Sequence, residues 1–537
     1  MLRMPIKSST NSFHYAVSFA VNPKRDFAVM KRWCLLPSAA EIIFISIFVR
    51  LVFNAEILLS DGDTGYHIRA GEFIIQARMV PKTDIFSLWM PALSWTAHEW
   101  LSEVLMAVVH HHAGLIGIVV LFSLTIATTH VLLFRMLRGD SQDILMTVLL
   151  TVVAATTSSI HWLARPHIFS LLLTVIWYSV LNRFQYRNKN QLFILPFLML
   201  LWVNLHGGYI FGLMLLLVYL LGNLTGLCFS EKSGSHEHIY KLKSLVTIFA
   251  ACLLVSLCNP QGYRLLFFPF ALSSDPFLMN NVREFLSPNF HEPLTFKYLL
   301  LASIALFALS RVALNWIELG LVILTTYMAL YSARYIPLYA IITAPILLRL
   351  LDRLKHDLPL NAMNWLARRS AAFSLIDRRS LRYLWLTGVI LVVLTLAHMS
   401  RLQSEFDDTL FPTKAVDFIM AEHISGNLFN NEEFGDYIIY KAWPKYRVFF
   451  DGRSDMYGAI LGAEYLKVAR TLPGWQDVLK NREVDWVFFN TRSVLSSALN
   501  TNPAWQLIYS DPVASIFVRD KPEYQDLIAK YGPKEPL

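Results

Sequence analysis

Cysteine and charge are both scarce in this chain, and each shortage excludes a class of protein. The 537 residues include 4 cysteines, none of them after residue 258, so the sequence indicates neither a disulfide framework nor a cysteine metal site. Charged residues make up 16% of the chain, against about a quarter in soluble domains, while hydrophobic residues reach 55%. With a mean hydropathy of +0.44, this composition is typical of a protein with many membrane spans.

The net charge of +8 does not indicate a nucleic-acid partner, because the basic residues concentrate in the connections between apolar runs. Residues 1–37 are polar and basic. The run that follows, 38–60, is too long for a signal peptide and lacks a cleavage site, so we expect a retained first span. Together with this first run, the apolar runs up to residue 400 predict about eleven spans in all. They lie at 38–60, 113–134, 143–160, 168–184, 191–205, 209–227, 244–258, 297–310, 315–331, 335–350 and 383–400.

Every basic connection falls on the side of the basic N-terminus, so the positive-inside rule predicts a cytoplasmic N-terminus and an external C-terminus. The predicted fold is mainly α: a polytopic helix bundle over 38–400, with a large first outer loop over 61–112. Residues 401–537 have ordinary charge and predict a small extracytoplasmic α/β domain. Strands are expected at 426–430, 446–450, 485–490 and 505–511, and helices at 413–423 and 459–470.

Polar motifs gather at the predicted outer ends of the spans. "DGDTGYHIRAG" opens the first outer loop, and "SWTAHEWLSE", "HWLARPH", "NLHGG", "CNPQGYR", "VREF" and "SARY" follow along the chain. Single members have ordinary structural explanations, such as helix capping, a turn at "NPQG" or arginines that reach lipid headgroups. So many polar groups near hydrocarbon are costly, however, and usually mark a functional site. The candidate site residues are Asp61, Asp63, His67, His98, Glu99, Arg165, His167, Asn204, His206, Asn259, Arg264 and Arg334.

This set of side chains suits a phosphate group beside a base. A guanidinium binds phosphate oxygens with two hydrogen bonds and keeps its charge. A facing carboxylate can deprotonate a hydroxyl or bind a metal ion that neutralises the leaving phosphate. The arginines would hold a lipid phosphate while Asp63 activates an acceptor. The later segment "FDGRSDMYG", 450–458, could form a ligand edge or a structural turn, and we favour the structural turn.

The start of the chain resembles the GT-C superfamily of polyprenyl-phosphate-dependent glycosyltransferases. The resemblance lies in a first span followed by "DGDTGYH", and then by "GEFIIQARMVPKTDIFS" and "SWTAHEWLSE". Together with "RPHIFS", "NLHGG", "NPQGYR", "ARYIPL" and "FDGRSDMYG", it is similar to a poorly characterised bacterial branch of that superfamily. The resemblance implies an outward-facing site in the bacterial inner (plasma) membrane and a polyprenyl-phosphate-linked sugar donor. It also implies a glycan, lipid or protein acceptor.

In such enzymes the first-loop acid acts as general base or as metal ligand, so the resemblance implies one of these roles for Asp63, with Asp61 in support. It leaves open which aspartate is catalytic and whether a divalent metal such as Mg²⁺ or Mn²⁺ is bound. The adjacent Asp-Glu pair of better-known branches is absent, and so is the Trp-Trp-Asp signature of oligosaccharyltransferases, so transfer of N-glycans is not indicated.

Two other classes of protein remain as alternatives. A transporter or flippase of a lipid-linked or anionic substrate would carry charges near mid-membrane and often internal repeats, neither of which is prominent here. A non-catalytic envelope assembly protein would use its soluble domain to bind a partner. In that protein Asp63 would be replaceable without loss of function.

Overall fold

The computed structural model describes residues 35–229, 235–357, 361–381, 383–399 and 401–532. The predicted basic N-terminus therefore lies outside the described residues except for its last positions. Helices dominate the chain up to residue 399. They are α1 Ala39–Phe53, α2 Asp63–Ala77, α3 Trp100–Asp140, α4 Ile144–Ser158, α5 His167–Arg187, α6 Ile194–Leu205, α7 Tyr209–Phe229, α8 Ser235–Val255, α9 Arg264–Ser273, α10 Pro276–Asn281, α11 Thr295–Leu309, α12 Trp316–Tyr331, α13 Ile336–Asp357, α14 Asn361–Arg379 and α15 Leu384–His398.

Six helices in the described part of the chain are long and apolar enough to cross a membrane, and a bent pair over 365–398 would make seven. The expected count of about eleven is therefore not confirmed. Several predicted spans are short helices: α6 has 12 residues, α11 has 15 and α12 has 16. A perpendicular span needs about 20 residues at 1.5 Å each, so these helices cannot cross the full hydrocarbon layer by themselves.

The predicted first outer loop is largely helical. Residues Asp63–Ala77 form α2, and α3 begins at Trp100, ahead of the predicted span start at 113. Gly114 breaks α3 with φ +61°, a conformation that favours glycine, so the first part of α3 is set off from its long apolar part. The connection between α2 and α3 is extended and pairs with itself once, at Thr83 and Ser94.

Basic side chains bind polar partners at one end of the helix bundle. Arg138, near the end of α3, donates to Ser374 Oγ at 2.9 Å, and Lys355, near the end of α13, pairs with Asp143 at the start of α4. The candidate site residues lie at the opposite ends of the same helices, at the starts of α3 and α5 and just before α13. This separation agrees with the charge asymmetry expected from the sequence.

A small α/β domain follows the helix bundle. Its elements are α16 Thr413–Glu422, β1 Leu428–Asn430, α17 Glu432–Ala442, α18 Ser454–Ala469, α19 Trp475–Asn481, β2 Trp486–Asn490, α20 Val494–Asn500, β3 Trp505–Ser510, β4 Ala514–Arg519 and α21 Gln525–Tyr531. The four strands are ordered β1-β2-β4-β3; β1 runs parallel to β2, and the other two pairs are antiparallel. Apolar side chains cover both faces of the sheet, with Trp486 and Phe488 on one and Val487 and Phe489 on the other.

Three of the four predicted strands are confirmed as β1, β2 and β3. The fourth, 446–450, is extended but makes only a single parallel bridge, from Val448 to Ser87 of the α2–α3 connection. Residues 86–89 lie beside it, with Leu88 N donating to Val448 O at 3.0 Å and Trp89 Nε1 to Phe449 O at 3.0 Å. This segment therefore joins the C-terminal domain to the α2–α3 connection and lies outside the sheet.

Helices α2 and α17 pack closely enough that glycine is required between them. A Cβ at Gly65 would lie 2.7 Å from Tyr440 Cβ and 3.0 Å from Asp436 O. Arg69 Nε, one turn further along α2, donates to Tyr440 O at 2.6 Å. The C-terminal domain is thus fixed against α2, which begins with Asp63.

Candidate functional site

Three carboxylates from separate segments converge on the guanidinium of Arg165. Arg165 Nη1 lies 2.8 Å from Asp61 Oδ2 and 2.5 Å from Glu284 Oε1, and Nη2 lies 2.7 Å from Asp63 Oδ2. Only 15% of the Arg165 side chain is exposed. We call Asp61, Asp63, Glu284 and Arg165 the Arg165 cluster.

The local backbone explains why Arg165 faces the two aspartates. The preceding residue, Ala164, donates its N–H to Leu58 O at 2.8 Å and accepts the Thr64 hydroxyl at 3.1 Å. Asp61 Oδ1 accepts the N–H of Asp63 at 2.9 Å and shapes the turn into α2. The backbone of "DGDT" and that of Ala164 are therefore held in place by hydrogen bonds that do not involve the ion pairs of Arg165.

Arg334 extends the cluster through Glu284. Arg334 Nη1 is 4.0 Å from Glu284 Oε2, and its guanidinium lies over the Phe285 ring at 5.3 Å. The Ser332 hydroxyl donates to Glu284 O at 2.9 Å, and Ala333 N donates to Leu286 O at 2.9 Å. The segment just before α13 is therefore attached to the turn that carries Glu284.

The charges in the cluster shift the pKa values of its members. Burial tends to raise the pKa of Glu284, but Arg165 and Arg334 outweigh burial and hold that pKa well below its usual range. Burial tends to lower the pKa of Arg165. The charges of three acids outweigh burial and raise that pKa well above its ordinary value; they are Asp63, Glu284 and Asp61. Glu284 and Arg165 therefore form an ion pair at neutral pH.

The C-terminal domain places a further carboxylate, Asp436 of α17, beside Asp63. Gly452 N donates to both oxygens of Asp436, at 3.0 and 3.2 Å, and a Cβ at Gly452 would lie 2.1 Å from Asp63 Oδ1. Burial raises the pKa of Asp63 and of Asp436 well above the usual range, and Asp63 adds to the effect at Asp436. Arg165 contacts Asp63 directly and opposes the rise of the Asp63 pKa.

Arg453 links the α2–α3 connection to the C-terminal domain. Its Nη1 is 2.8 Å from Asp84 Oδ1, its Nη2 is 2.6 Å from Asp451 Oδ2, and 2% of the residue is exposed. The guanidinium also lies over the rings of Trp95 at 4.7 Å and Phe86 at 4.9 Å. These contacts support the structural role favoured for "FDGRSDMYG", although its Gly452 touches the site.

Glu99 is the centre of a second group of polar side chains. Its carboxylate lies 3.4 Å from His206 Nε2, 3.6 Å from His67 Nε2 and 3.8 Å from His98 Nε2. His67 Nδ1 is 3.3 Å from Glu103 Oε1. We call His67, His98, Glu99, Glu103 and His206 the Glu99 cluster. Asp63 and His67 are four residues apart on one face of α2, so this helix carries a member of each cluster.

The hydrogen bonds around His206 fix where its proton lies. Gly208 N donates to His206 Nδ1 at 2.9 Å, and Ser170 Oγ is 2.7 Å from the same nitrogen. Burial lowers the pKa of His206 and of His67 well below the usual value, and nearby cations add to the effect. His206 is therefore neutral with its proton on Nε2, which faces Glu99 and can serve a hydroxyl ligand.

The structure thus brings together most of the candidate residues, in two adjoining clusters. Asn204 and His167 lie beside the Glu99 cluster: Asn204 Oδ1 accepts Trp100 Nε1 at 2.8 Å, and the His167 ring is 6.4 Å from that of His206. Asn259 and Arg264 do not join either cluster. Asn259 uses its side chain in its own turn, at 2.8 Å from Ser256 O and from Gln261 N, and Arg264 is exposed.

A divalent metal does not fit the carboxylates of Asp61 and Asp63 as they are arranged here. Both bind Arg165, and within the described ranges no group of three His, Cys, Asp or Glu side chains is placed to hold a metal. Mg²⁺ and Mn²⁺ need several oxygen ligands at about 2.0–2.2 Å, and the guanidinium takes the position where such an ion would sit. The arrangement therefore supports a general base over a metal ligand.

The fold is similar to that of two solved structures of an archaeal oligosaccharyltransferase. The crystal structure of the Archaeoglobus fulgidus oligosaccharyltransferase in the apo form is similar with a TM-score of 0.52 and 11% identity, over 93% of this chain and 74% of that chain. The oligosaccharyltransferase AglB of the same organism, in complex with an inhibitory peptide and a dolichol-phosphate, gives 0.53 and 11% over the same shares. No family model and no curated protein matches the sequence.

Proposed function

We propose that this chain is a membrane glycosyltransferase that moves a sugar from a polyprenyl-phosphate carrier to an extracytoplasmic acceptor at the Arg165 cluster. The observation that carries the proposal is the largely buried Arg165, which contacts both first-loop aspartates at the helix ends nearest the C-terminal domain. A dolichol-phosphate is bound in one of the similar structures, which supports a lipid-phosphate ligand for this fold.

In the proposed reaction Arg165 and Arg334 bind the phosphate of the donor, and Asp63 accepts the proton of the acceptor hydroxyl. The acceptor oxygen forms a bond to the sugar's anomeric carbon as the bond from that carbon to the phosphate oxygen breaks. The electron pair of the broken bond stays on the phosphate, whose growing charge the arginines stabilise. Asp61 supports Asp63 through the turn into α2.

The Glu99 cluster is proposed to hold the sugar. A neutral His206, the carboxylate of Glu99 and the amide of Asn204 supply the donors and acceptors that sugar hydroxyls require. The C-terminal domain reaches the same site through Gly452 and Asp436, so it is placed to contribute to acceptor binding. The acceptor is a glycan, lipid or protein; the missing Trp-Trp-Asp signature disfavours the N-glycan acceptors of oligosaccharyltransferases.

We further propose that both clusters and the C-terminal domain face the outside of a bacterial inner (plasma) membrane. The support is the separation of charge: the basic helix ends lie away from the Arg165 cluster, and cytoplasmic connections carry the excess of Lys and Arg.

The test is the Asp63→Asn variant in a transfer assay with labelled sugar on a polyprenyl-phosphate carrier. We expect turnover to fall at least about 100-fold, since general base catalysis contributes about 10²–10⁴-fold. Asp408→Asn is the matched control, because Asp408 is 54% exposed and pairs only at the surface with Lys414. Wild-type turnover in the Asp63 variant would remove Asp63 from the mechanism.

A further inference from the structure

The Arg165 cluster resembles a metal site in its carboxylate ligands, but a guanidinium lies where the metal ion would be. Asp61, Asp63 and Glu284 come from three segments, and each directs one oxygen to within 2.8 Å of the same guanidinium. Ionised carboxylates that face one another repel, and a cation between them offsets that repulsion. A divalent ion or an arginine can supply that cation, and the two cannot share the position.

Arg165 is held in this position by groups other than its three acids. Ala164 is fixed on both of its backbone polar groups, by Leu58 O and by the Thr64 hydroxyl, and Pro166 restricts the backbone on the other side. The guanidinium therefore enters the cluster from a backbone that is already in place. An ion that displaced it would leave a buried, unpaired arginine, which is costly.

We propose that Arg165 permanently takes the place of a divalent metal ion in this site, so that the chain neutralises a lipid phosphate with guanidinium groups alone. The catalytic part of this proposal rests on the proposed function, whereas the exclusion of metal ions from the Arg165 cluster does not depend on that function. During transfer the sugar–phosphate bond breaks with its electrons left on the phosphate oxygen, and the acceptor proton passes to Asp63. Arg165 and Arg334 neutralise the charge that a metal would otherwise neutralise.

The first test measures metal binding without any activity. Full-length protein in detergent is heated with Mn²⁺, with Mg²⁺ or with EDTA, and free Mn²⁺ is followed by its electron paramagnetic resonance signal. We expect no change in the melting temperature of the wild type and no loss of the free-ion signal. A wild type that binds Mn²⁺ or is destabilised by EDTA would overturn the proposal.

The second test converts the cluster into a metal site. In Arg165→Ala the three acids remain without their cation, so we expect a lower melting temperature that Mn²⁺ raises by at least about 3 °C. The variant that also carries Asp61→Asn and Asp63→Asn should not respond to Mn²⁺. If Arg165→Ala binds no Mn²⁺, the acids do not define a cation position and the proposal fails. If Arg165→Ala does not fold, Arg165→Lys is tested in its place. Because lysine keeps a cation among the three acids, this variant should fold, and Mn²⁺ should not change its melting temperature. A rise of its melting temperature with Mn²⁺ would contradict the proposal.

A transfer assay with EDTA separates this inference from the proposed function. Sugar transfer that EDTA abolishes and Mn²⁺ restores would overturn the role of Arg165 while leaving a glycosyltransferase in place. Absence of transfer under all conditions, with wild-type protein still indifferent to Mn²⁺, would refute the proposed function and leave the exclusion of metal ions intact.

Discussion

Gly452→Ala tests directly whether the C-terminal domain forms part of the site. The added Cβ would lie 2.1 Å from Asp63 Oδ1 and 3.0 Å from Asp436 Oδ2, far inside van der Waals contact. Gly452 does not have a positive φ, so alanine adds no backbone strain and the variant reports the clash alone. Asp63 has little room to retreat, because its other oxygen is 2.7 Å from Arg165 Nη2.

The expected magnitude follows from overpacking a buried contact. Inserting one methyl group into a tightly packed interior costs about 1–3 kcal/mol, which we expect as a loss of stability. If the clash turns Asp63 away from Arg165, transfer should fall at least tenfold, equivalent to about 1.4 kcal/mol in the barrier. Both effects have one cause and should therefore appear together.

The assay compares thermal unfolding and sugar transfer of Gly452→Ala with those of Gly388→Ala. A Cβ at Gly388 in α15 meets nothing within 4 Å, so this control should be as stable as the wild type or slightly more stable. If Gly452→Ala matches this control in both measurements, the C-terminal domain does not press on Asp63, and its proposed contribution to the site through Gly452 is refuted.

Three further predictions follow from the charges. Arg453→Met leaves the buried acids Asp84 and Asp451 without their cation, and we expect the free energy of unfolding in denaturant to fall by about 3–5 kcal/mol. Arg482→Met removes a partly exposed pair with Glu464 and should cost at most about 1 kcal/mol. Equal losses in the two variants would contradict the burial of Arg453. Burial raises the pKa of Glu432 to about 7, so the folded state binds an extra proton, and this contribution to stability is lost as pH rises from about 4.5 to 7. Glu432→Gln should flatten that part of the stability–pH profile, and an unchanged profile would exclude Glu432 as its source. In intact cells an impermeant maleimide should label a cysteine at Val494, which is 59% exposed, but not Cys228 at the other end of the bundle; the reverse result would contradict the proposed orientation.

Much of the site could be predicted because polar residues next to long apolar runs are conspicuous. The stretch around Asp63 and the "ARPH" around Arg165 stood out for that reason, and the fold places them 2.7 Å apart. Residues of the C-terminal domain gave no such signal. Asp436 lies on an amphipathic helix in which an acid is unremarkable, and its partner Gly452 is 16 positions away. Only the docking of that domain on α2 reveals the contact.

The limits of the fold prediction also have physical causes. Hydropathy detects apolar runs but cannot tell a full span from a shorter helix buried by its neighbours, so the sequence predicts spans where the short helices α6, α11 and α12 lie. The expected strand at 446–450 has the right composition, but the partner of Val448 lies in the α2–α3 connection, more than 350 residues earlier. Strand β4, "ASIFVR", is as apolar as its neighbours and was missed, although it pairs with both β2 and β3.

The position of Glu284 sets a condition on how a phosphate can use the two arginines. Its carboxylate already lies between them, 2.5 Å from Arg165 and 4.0 Å from Arg334, and their charges keep it ionised. A bound phosphate would bring like charge to the same cations, so it must displace Glu284 from at least one of them. Ser332 and Ala333 hold the backbone around Glu284 through its carbonyl oxygen and that of Leu286, so we expect this exchange to take place by rotation of the Glu284 side chain.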